Sequence, residues 1–306
     1  MTVSAKAWAE SMRVPKKVWY QASPTKLVMA DDCGRAHAYR YRDKLRVKNE
    51  RRSPTLASGS AVAYAVETWL ADQSKLMPTE DDLEKLVMEG LAKEFAGYEQ
   101  DEGAQLMRKF GPGVRRAVTR IPDWMWGGEW YVEKEVTGTF QDDEIGVTVK
   151  GRLDQMKFTE EEGVPTIELI DVKTTDTDPL EYVLWTPQLR IYAACLAQMY
   201  PERLICYRYV CVPTTPSGKA KVGAEIVFTA AANANTTREI LAMARKLGAG
   251  DAPRYARRCQ WCAYQKICST IITGGDPKDV IRELFVKRGE EDGNHSEAER
   301  EATPVG

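Results

Sequence analysis

Asp171-Val172-Lys173 ends a strongly apolar segment, IELIDVK. Side chains alternate across a strand, so Asp171 and Lys173 share one face while Ile170 and Val172 take the other. The preceding apolar segment carries Gly151-Arg152-Leu153-Asp154. Should the two segments pair as a hairpin, Asp154 comes to lie beside Asp171. Two converging carboxylates make an oxygen-rich site suited to Mg²⁺ or Mn²⁺, which leave positions open for water and phosphate. Such a metal generates hydroxide and offsets charge on a phosphodiester under attack. Lys173 then orients or activates the water and stabilises the transition state. A second constellation is Cys259-x-x-Cys262 followed by Cys268, a spacing that places thiolates on one ion or cluster. Three thiolates call for a fourth, and Cys33 is the candidate. The spacing alone leaves zinc and iron–sulfur equally open. Cys195, Cys206 and Cys211 lie in apolar stretches and read as core.

Helices and strands must bring these residues together. Ser23-Pro24 reads as an N-cap with proline in the first helical position. Residues 56–76 carry apolar groups at helical spacing, and Thr79 with Asp82 forms a variant capping box for the next helix. A helical region is thus expected over residues 23–120, broken by Gly-Pro-Gly at 111–113. EWYVEKEV, IGVTVKGRLDQMKF and PTIELIDVKT read as consecutive strands. DPLEYVLWTPQLRIYAACLAQMY follows as a helix kinked at Pro187, then the strands RLICYRYVCV and AEIVF, a helix over 236–247 and a cysteine-containing coil. This order predicts an α/β (α+β) fold, a mixed β-sheet flanked by helices.

Composition narrows the functional classes. With 43% apolar residues in 306, a folded core is expected. No apolar run approaches the roughly 18–20 residues of a spanning helix, and the first thirty residues are charged throughout, so neither membrane span nor signal peptide is expected and the compartment reads as cytoplasmic. Seven cysteines in a reducing compartment argue for metal binding, catalysis or burial rather than disulfides. The near-neutral total of 43 basic and 45 acidic residues hides two opposed segments. Residues 35–52 hold eight basic side chains against two acidic, an electrostatic guide for polyanions; residues 289–301 hold six acids against Arg300. Residues 289–306 are accordingly expected to form a disordered acidic tail after a single domain spanning 1–288, with a catalytic core over about 121–250 and a cysteine cluster with a terminal helix over 251–288. No GxxxxGK[ST] motif is present, which excludes a self-contained helicase.

GRLD, then DVKT seventeen residues on, then Gln188 and Tyr192 four apart on the following helix form an ordered set. It resembles the RecB-like branch of the PD-(D/E)xK nucleases, over about residues 23–268. That resemblance implies a restriction-endonuclease-like core with metal ligation by Asp154, Asp171 and the Val172 carbonyl, and catalysis by Lys173. It also implies substrate positioning by Gln188 and Tyr192, and a contribution from Glu133 or Glu135, of which Glu135 is carried as a ligand. The segment around Cys33 and the C-terminal cysteines resembles the iron–sulfur members, AddB-type subunits and CRISPR-associated exonucleases. There Cys33, Cys259, Cys262 and Cys268 would hold a [4Fe-4S] cluster as a staple. Many relatives carry a metal-binding histidine where this chain has Ala63; Glu67, one turn later, reads as an exposed helical acid that could reach the site instead.

DNA, chiefly single-stranded, is the expected partner, with contacts from Arg35, Arg40, Arg42, Arg152, Gln188, Tyr192 and a stacking ring, Trp126. The expected activity is a metal-dependent exonuclease on single-stranded ends, in recombination, repair or replication, with a helicase or recombination partner left open. Its rivals are a flap or structure-specific endonuclease and a non-catalytic DNA-binding module with a structural metal.

Overall fold

The computed structural model describes residues 17–48, 53–72, 77–126, 129–248, 259 and 262–288. The expected acidic tail, together with Arg51, Arg52, Arg254, Arg257 and Arg258, lies outside the described residues.

Strand β1 (Val18–Ala22) leads into α1 (Pro24–Asp32), whose N-cap Ser23 accepts a hydrogen bond from the Lys26 amide. A helical extension over Gly34–Arg42 reaches β2 (Leu45–Val47). Helix α2 (Pro54–Ala71) starts at a Ser53 cap, and α3 (Glu80–Phe95) starts at the expected Thr79–Asp82 capping box. Helix α4 (Gln100–Thr119) runs straight through Pro112, so the break expected at 111–113 does not occur. An interior proline costs about 3 kcal/mol; here the same helix buries Gly111, Val114, Ala117 and Val118. Burial of that face outweighs the lost backbone bond.

The sheet follows with β3 (Trp130–Gln141), β4 (Ile145–Glu161) and β5 (Val164–Lys173). Pro187 separates two helices, α5 (Pro179–Trp185) and α6 (Gln188–Met199), rather than kinking one. Strand β6 (Leu204–Cys211), the short β7 (Lys221–Val222) and β8 (Ile226–Val227), and α7 (Ala230–Gly248) complete the core. Helices α8 (Gln265–Ile272) and α9 (Pro277–Leu284) and strand β9 (Phe285–Lys287) are the last elements among the described residues. β9 was not foreseen; it pairs antiparallel with β2, tying the cysteine-rich end to the segment after Cys33.

The main sheet is mixed. β3 pairs antiparallel with β4, β5 antiparallel with β4, and β1 and β6 run parallel to β4 and β5 respectively. One apolar cluster packs α6 and α7 against the face bearing Val147, Leu169 and Tyr209. A second packs α2, α3 and α4 against the face bearing Trp130, Ile170 and Val210. The expected mixed sheet flanked by helices is therefore present.

Two details of β4 position the site. The β4–β5 hairpin turns on two residues, Glu162 and Gly163, both with positive φ (50° and 81°), the conformation of a two-residue hairpin turn matched to sheet twist. This short turn fixes the register, with Glu161 opposite Val164 and Gln155 opposite Ile170. One step further, Asp154 faces Asp171. The edge of β4 that β5 occupies is taken by β1 instead over Ile145–Val149. Between the two partners the strand forks, and Gly151, Arg152 and Asp154 sit at the fork.

Candidate active site

Asp171 is buried, its side chain 5% exposed, and its Oδ2 lies 2.7 Å from Lys173 Nζ. Its Oδ1 is buried with no hydrogen-bond partner among the described residues. Burial raises the Asp171 carboxyl above its ordinary range; Lys173 opposes this and Asp154 adds to it. Asp154 is likewise raised by burial, against the pull of Lys173 and Arg152. Burial alone would lower the Lys173 ammonium, but Asp171, bonded to it, overrides that and moves it upward. The lysine is therefore an ammonium at neutral pH.

A third and fourth carboxylate complete the group. Glu133 on β3 falls opposite Asp154, since Val132 pairs with Gln155 and Lys134 with Leu153. Glu67 comes from α2. Among the described residues, Glu67, Glu133 and Asp154 bring a carboxylate oxygen each within 4.8 Å of one another. The Glu67 carboxyl is pushed up to about 7, first by burial and then by the neighbouring Asp154 and Glu133 carboxylates, against Arg152. Glu67 is thus half-buried in the site, not the exposed helical acid expected. Glu133 has φ +54°, a left-handed backbone in mid-strand, and its carboxylate is ion-paired with Arg152. Glu135, carried as the ligand from sequence, lies opposite Arg152, is exposed and stands outside the carboxylate group. Strict alternation does not separate the two acids; the left-handed backbone at Glu133 does.

Helix α6 covers the fork. The Tyr192 hydroxyl donates to the Arg152 carbonyl at 2.9 Å, and the Gln188 side chain hydrogen-bonds Tyr192. The ring lies so close to β4 that a Cβ on Gly151 would sit 2.6 Å from Tyr192 Cε1. The glycine of GRLD is there to admit the tyrosine. Burial raises the Tyr192 phenol, and both Asp154 and Asp171 add to the effect. The fold thus assembles Asp154, Asp171, Lys173, Gln188 and Tyr192 at one place, with Val172 between the two central groups of β5. Trp126 is not available for stacking. It is 5% exposed and packs in the α2–α4 core, because the short turn over Asp123–Met125 points it inward.

The oxygen donors fit a hard divalent cation. Three carboxylates, those of Glu67, Glu133 and Asp154, converge; Asp171 lies close enough to Asp154 to feel its charge and has a buried oxygen without a partner among the described residues, and Lys173 with Arg152 leaves the whole net anionic. Sequence reasoning names Glu67 as a candidate substitute ligand but favours an exposed helical acid; the apolar neighbours Ala65, Val66, Trp69 and Leu70, all buried in α2, are the signal for the other choice.

The four spaced cysteines also come together. Cys33 caps the end of α1, Cys262 donates its amide to the Cys259 carbonyl at 3.1 Å, and Cys268 lies in α8. Burial raises the Cys262 thiol, helped by Cys268, Cys33 and Cys259; burial raises the Cys268 thiol too, against a hydrogen bond from Arg35. Cys33, Cys259 and Cys262 line a cavity of about 570 Å³ together with Arg40, Arg46 and Arg288. Arg40 and Arg42 are exposed nearby. A small core of Ala36, Leu45, Tyr264, Ile267 and Phe285 backs the cysteines, and the Tyr264 hydroxyl donates to the Leu45 carbonyl at 2.9 Å. Cys195, Cys206 and Cys211 are buried as expected.

No described helix is long and apolar enough to cross a membrane. Among solved structures, the chain is similar to a protein from Eubacterium rectale titled "Putative exonuclease", with 11% identity and TM-score 0.41 over 86% of this chain and 93% of that one. It is also similar to a protein titled SSO0001, with 15% identity and TM-score 0.31 over 67% and 94%. No curated protein matches the chain. The sequence model of the PD-(D/E)XK nuclease superfamily, whose members are hydrolases of phosphodiester bonds and typically use Mg²⁺ or Mn²⁺, matches residues 21–269. With four-fifths of its length so matched, and with the paired aspartates and lysine on adjoining strands, this chain belongs to the PD-(D/E)XK nuclease superfamily.

Proposed function

We propose that this protein is a metal-dependent deoxyribonuclease that degrades single-stranded DNA from its ends. The observation that carries the reading is Asp171: a buried carboxylate bonded through one oxygen to Lys173 and unpartnered at the other, beside Asp154. A buried, unmatched carboxylate oxygen costs free energy unless a cation or donor meets it.

Asp171, Asp154, Glu67, Glu133 and the Val172 carbonyl are the groups that would hold Mg²⁺ or Mn²⁺. The bound ion supplies Lewis-acid stabilisation of the phosphate and a water of lowered pKa. Lys173, kept protonated by Asp171, holds a positive charge where the phosphorane charge develops and orients the attacking water. It acts as a cation rather than as a proton acceptor. Tyr192 fixes the Arg152 carbonyl, and with it the section of β4 that carries Asp154. Gln188, beside Tyr192 on the same helix face, would contact the DNA backbone. Arg35, Arg40 and Arg42 would guide the strand electrostatically.

Cys33, Cys259, Cys262 and Cys268 would hold a [4Fe-4S] cluster as a structural staple. Their convergence from opposite ends of the chain supports a bound metal centre, and closing so long a loop offsets an entropy on the order of 5 kcal/mol in the unfolded chain.

The test is digestion of end-labelled linear single strands against circular single strands with Mg²⁺ and with Mn²⁺. Progressive loss of the linear substrate alone is the expected result. Cleavage of the circle makes the protein an endonuclease, and binding without cleavage of either makes it a non-catalytic module.

A further inference from the structure

Arg152 is fixed at its backbone and largely exposed at its side chain. Its backbone carbonyl is fixed by the Tyr192 hydroxyl at 2.9 Å, while its guanidinium side chain is 65% exposed and reaches across to the neighbouring strand to pair with Glu133. Glu133 has a second claim on it, because its carboxylate lies within 4.8 Å of those of Glu67 and Asp154. The other cation of the site, Lys173, is engaged by Asp171. Arg152 therefore balances the outer carboxylates, and the charge on Glu67 feels it as the one stabilising influence against burial, Asp154 and Glu133.

These two claims on Glu133 exclude one another. A divalent cation held by Glu67, Glu133 and Asp154 takes up the Glu133 oxygens and repels a neighbouring guanidinium. Arg152 is then released beside a site that attracts phosphate, on a side chain long enough to move and with a planar fork that matches phosphate oxygens. The backbone of Glu133, at φ +54°, is held in a conformation that side-chain-bearing residues rarely adopt, a form of strain that recurs where a group serves two arrangements.

We propose that Arg152 is an exchangeable counter-ion: it neutralises Glu133 while the carboxylate group is empty of metal and transfers to a phosphate of the DNA strand when metal displaces it. This rests on the nuclease reading and deepens it, making Arg152 a positioning residue that couples the two ligands. By reciprocity, metal tightens DNA binding by the same factor that DNA tightens metal binding.

The experiment titrates the full-length protein with Mn²⁺ alone, without DNA, by electron paramagnetic resonance of the free ion. Removing a competing, half-exposed ion pair is expected to tighten Mn²⁺ binding in Arg152→Gln about 1.5- to 5-fold, while Arg152→Lys stays close to wild type. In a Glu133→Gln background, Arg152→Gln should bring no tightening, since the pair is already gone. Binding of a single-stranded oligonucleotide in Ca²⁺ should weaken in Arg152→Gln, and its dependence on metal should shrink. Unchanged or weaker Mn²⁺ binding in Arg152→Gln overturns the proposal, as does equal tightening with and without Glu133. Asp154→Asn is the control for the underlying reading. If it leaves Mn²⁺ binding untouched, the carboxylates are not the metal site and both readings fall. If it abolishes binding while Arg152→Gln changes nothing, the exchange alone is wrong.

Discussion

Glu67 offers a stability measurement that needs no substrate. Its carboxyl titrates near 7 in the folded protein against an ordinary value of 4.5, so the folded state holds a proton that the unfolded state has released between those values. Stability contributed by this proton is present below about pH 4.5 and is lost as pH rises through about 7. The difference corresponds to about 3.4 kcal/mol at most; Glu67 is only partly buried, and solvent screening brings this to about 1–2 kcal/mol. Glu67→Gln mimics the protonated form at every pH. In urea unfolding with a chelator present, the variant should match wild type at pH 5 and exceed it by about 1–2 kcal/mol at pH 8–9. Adding Mg²⁺ should stabilise wild type more than the variant, because a ligand of the native state has been removed. A variant that is less stable at pH 8, or a difference that does not change with pH, would refute the placement of Glu67 among the carboxylates.

Asp171→Asn and Lys173→Ala should each lower DNA cleavage by at least about 100-fold with an unchanged circular dichroism spectrum; retained cleavage in either removes that residue from the chemistry. Anaerobically purified protein should be brown and contain iron and acid-labile sulfide, lost in serine variants of Cys33, Cys259, Cys262 and Cys268 but kept in Cys195→Ala. Stoichiometric zinc in place of iron would overturn the cluster. Gly151→Ala forces Tyr192 away from β4 and should cost about 1–3 kcal/mol of stability together with most of the activity, and a fully active, fully stable variant would show that the tyrosine need not touch the strand.

The parts of this site legible in the sequence were those set by local rules. Period-two alternation put Asp171 and Lys173 on one face, and hairpin pairing put Asp154 beside them, as the register of β4 and β5 bears out. The i, i+4 spacing of Gln188 and Tyr192 placed both on one face of α6. What the local rules could not supply came from tertiary packing. Pro112 reads as a helix breaker until the burial of Val114 and Val118 against neighbouring helices is counted. Glu133 and Glu135 are equivalent under strict alternation, and only a left-handed residue in mid-strand separates them. Trp126 is a stacking candidate on residue type alone, and its position is decided by the core it shares with α2 to α4. Glu67, one turn after Ala63, could be named as a candidate, but whether it is exposed or turned to the site is decided by the packing of α2 and not by its spacing.

The tight turn at Glu162 and Gly163 begins eight residues beyond Asp154, roughly 27 Å away at strand rise. A surface loop so distant would ordinarily accept insertions. Here a single added residue could slide β5 by one place and swing Asp171 and Lys173 through to the opposite side of the sheet. Lengthening this remote loop by one should therefore silence the enzyme as completely as deleting an acid, while lengthening by two should be far better tolerated.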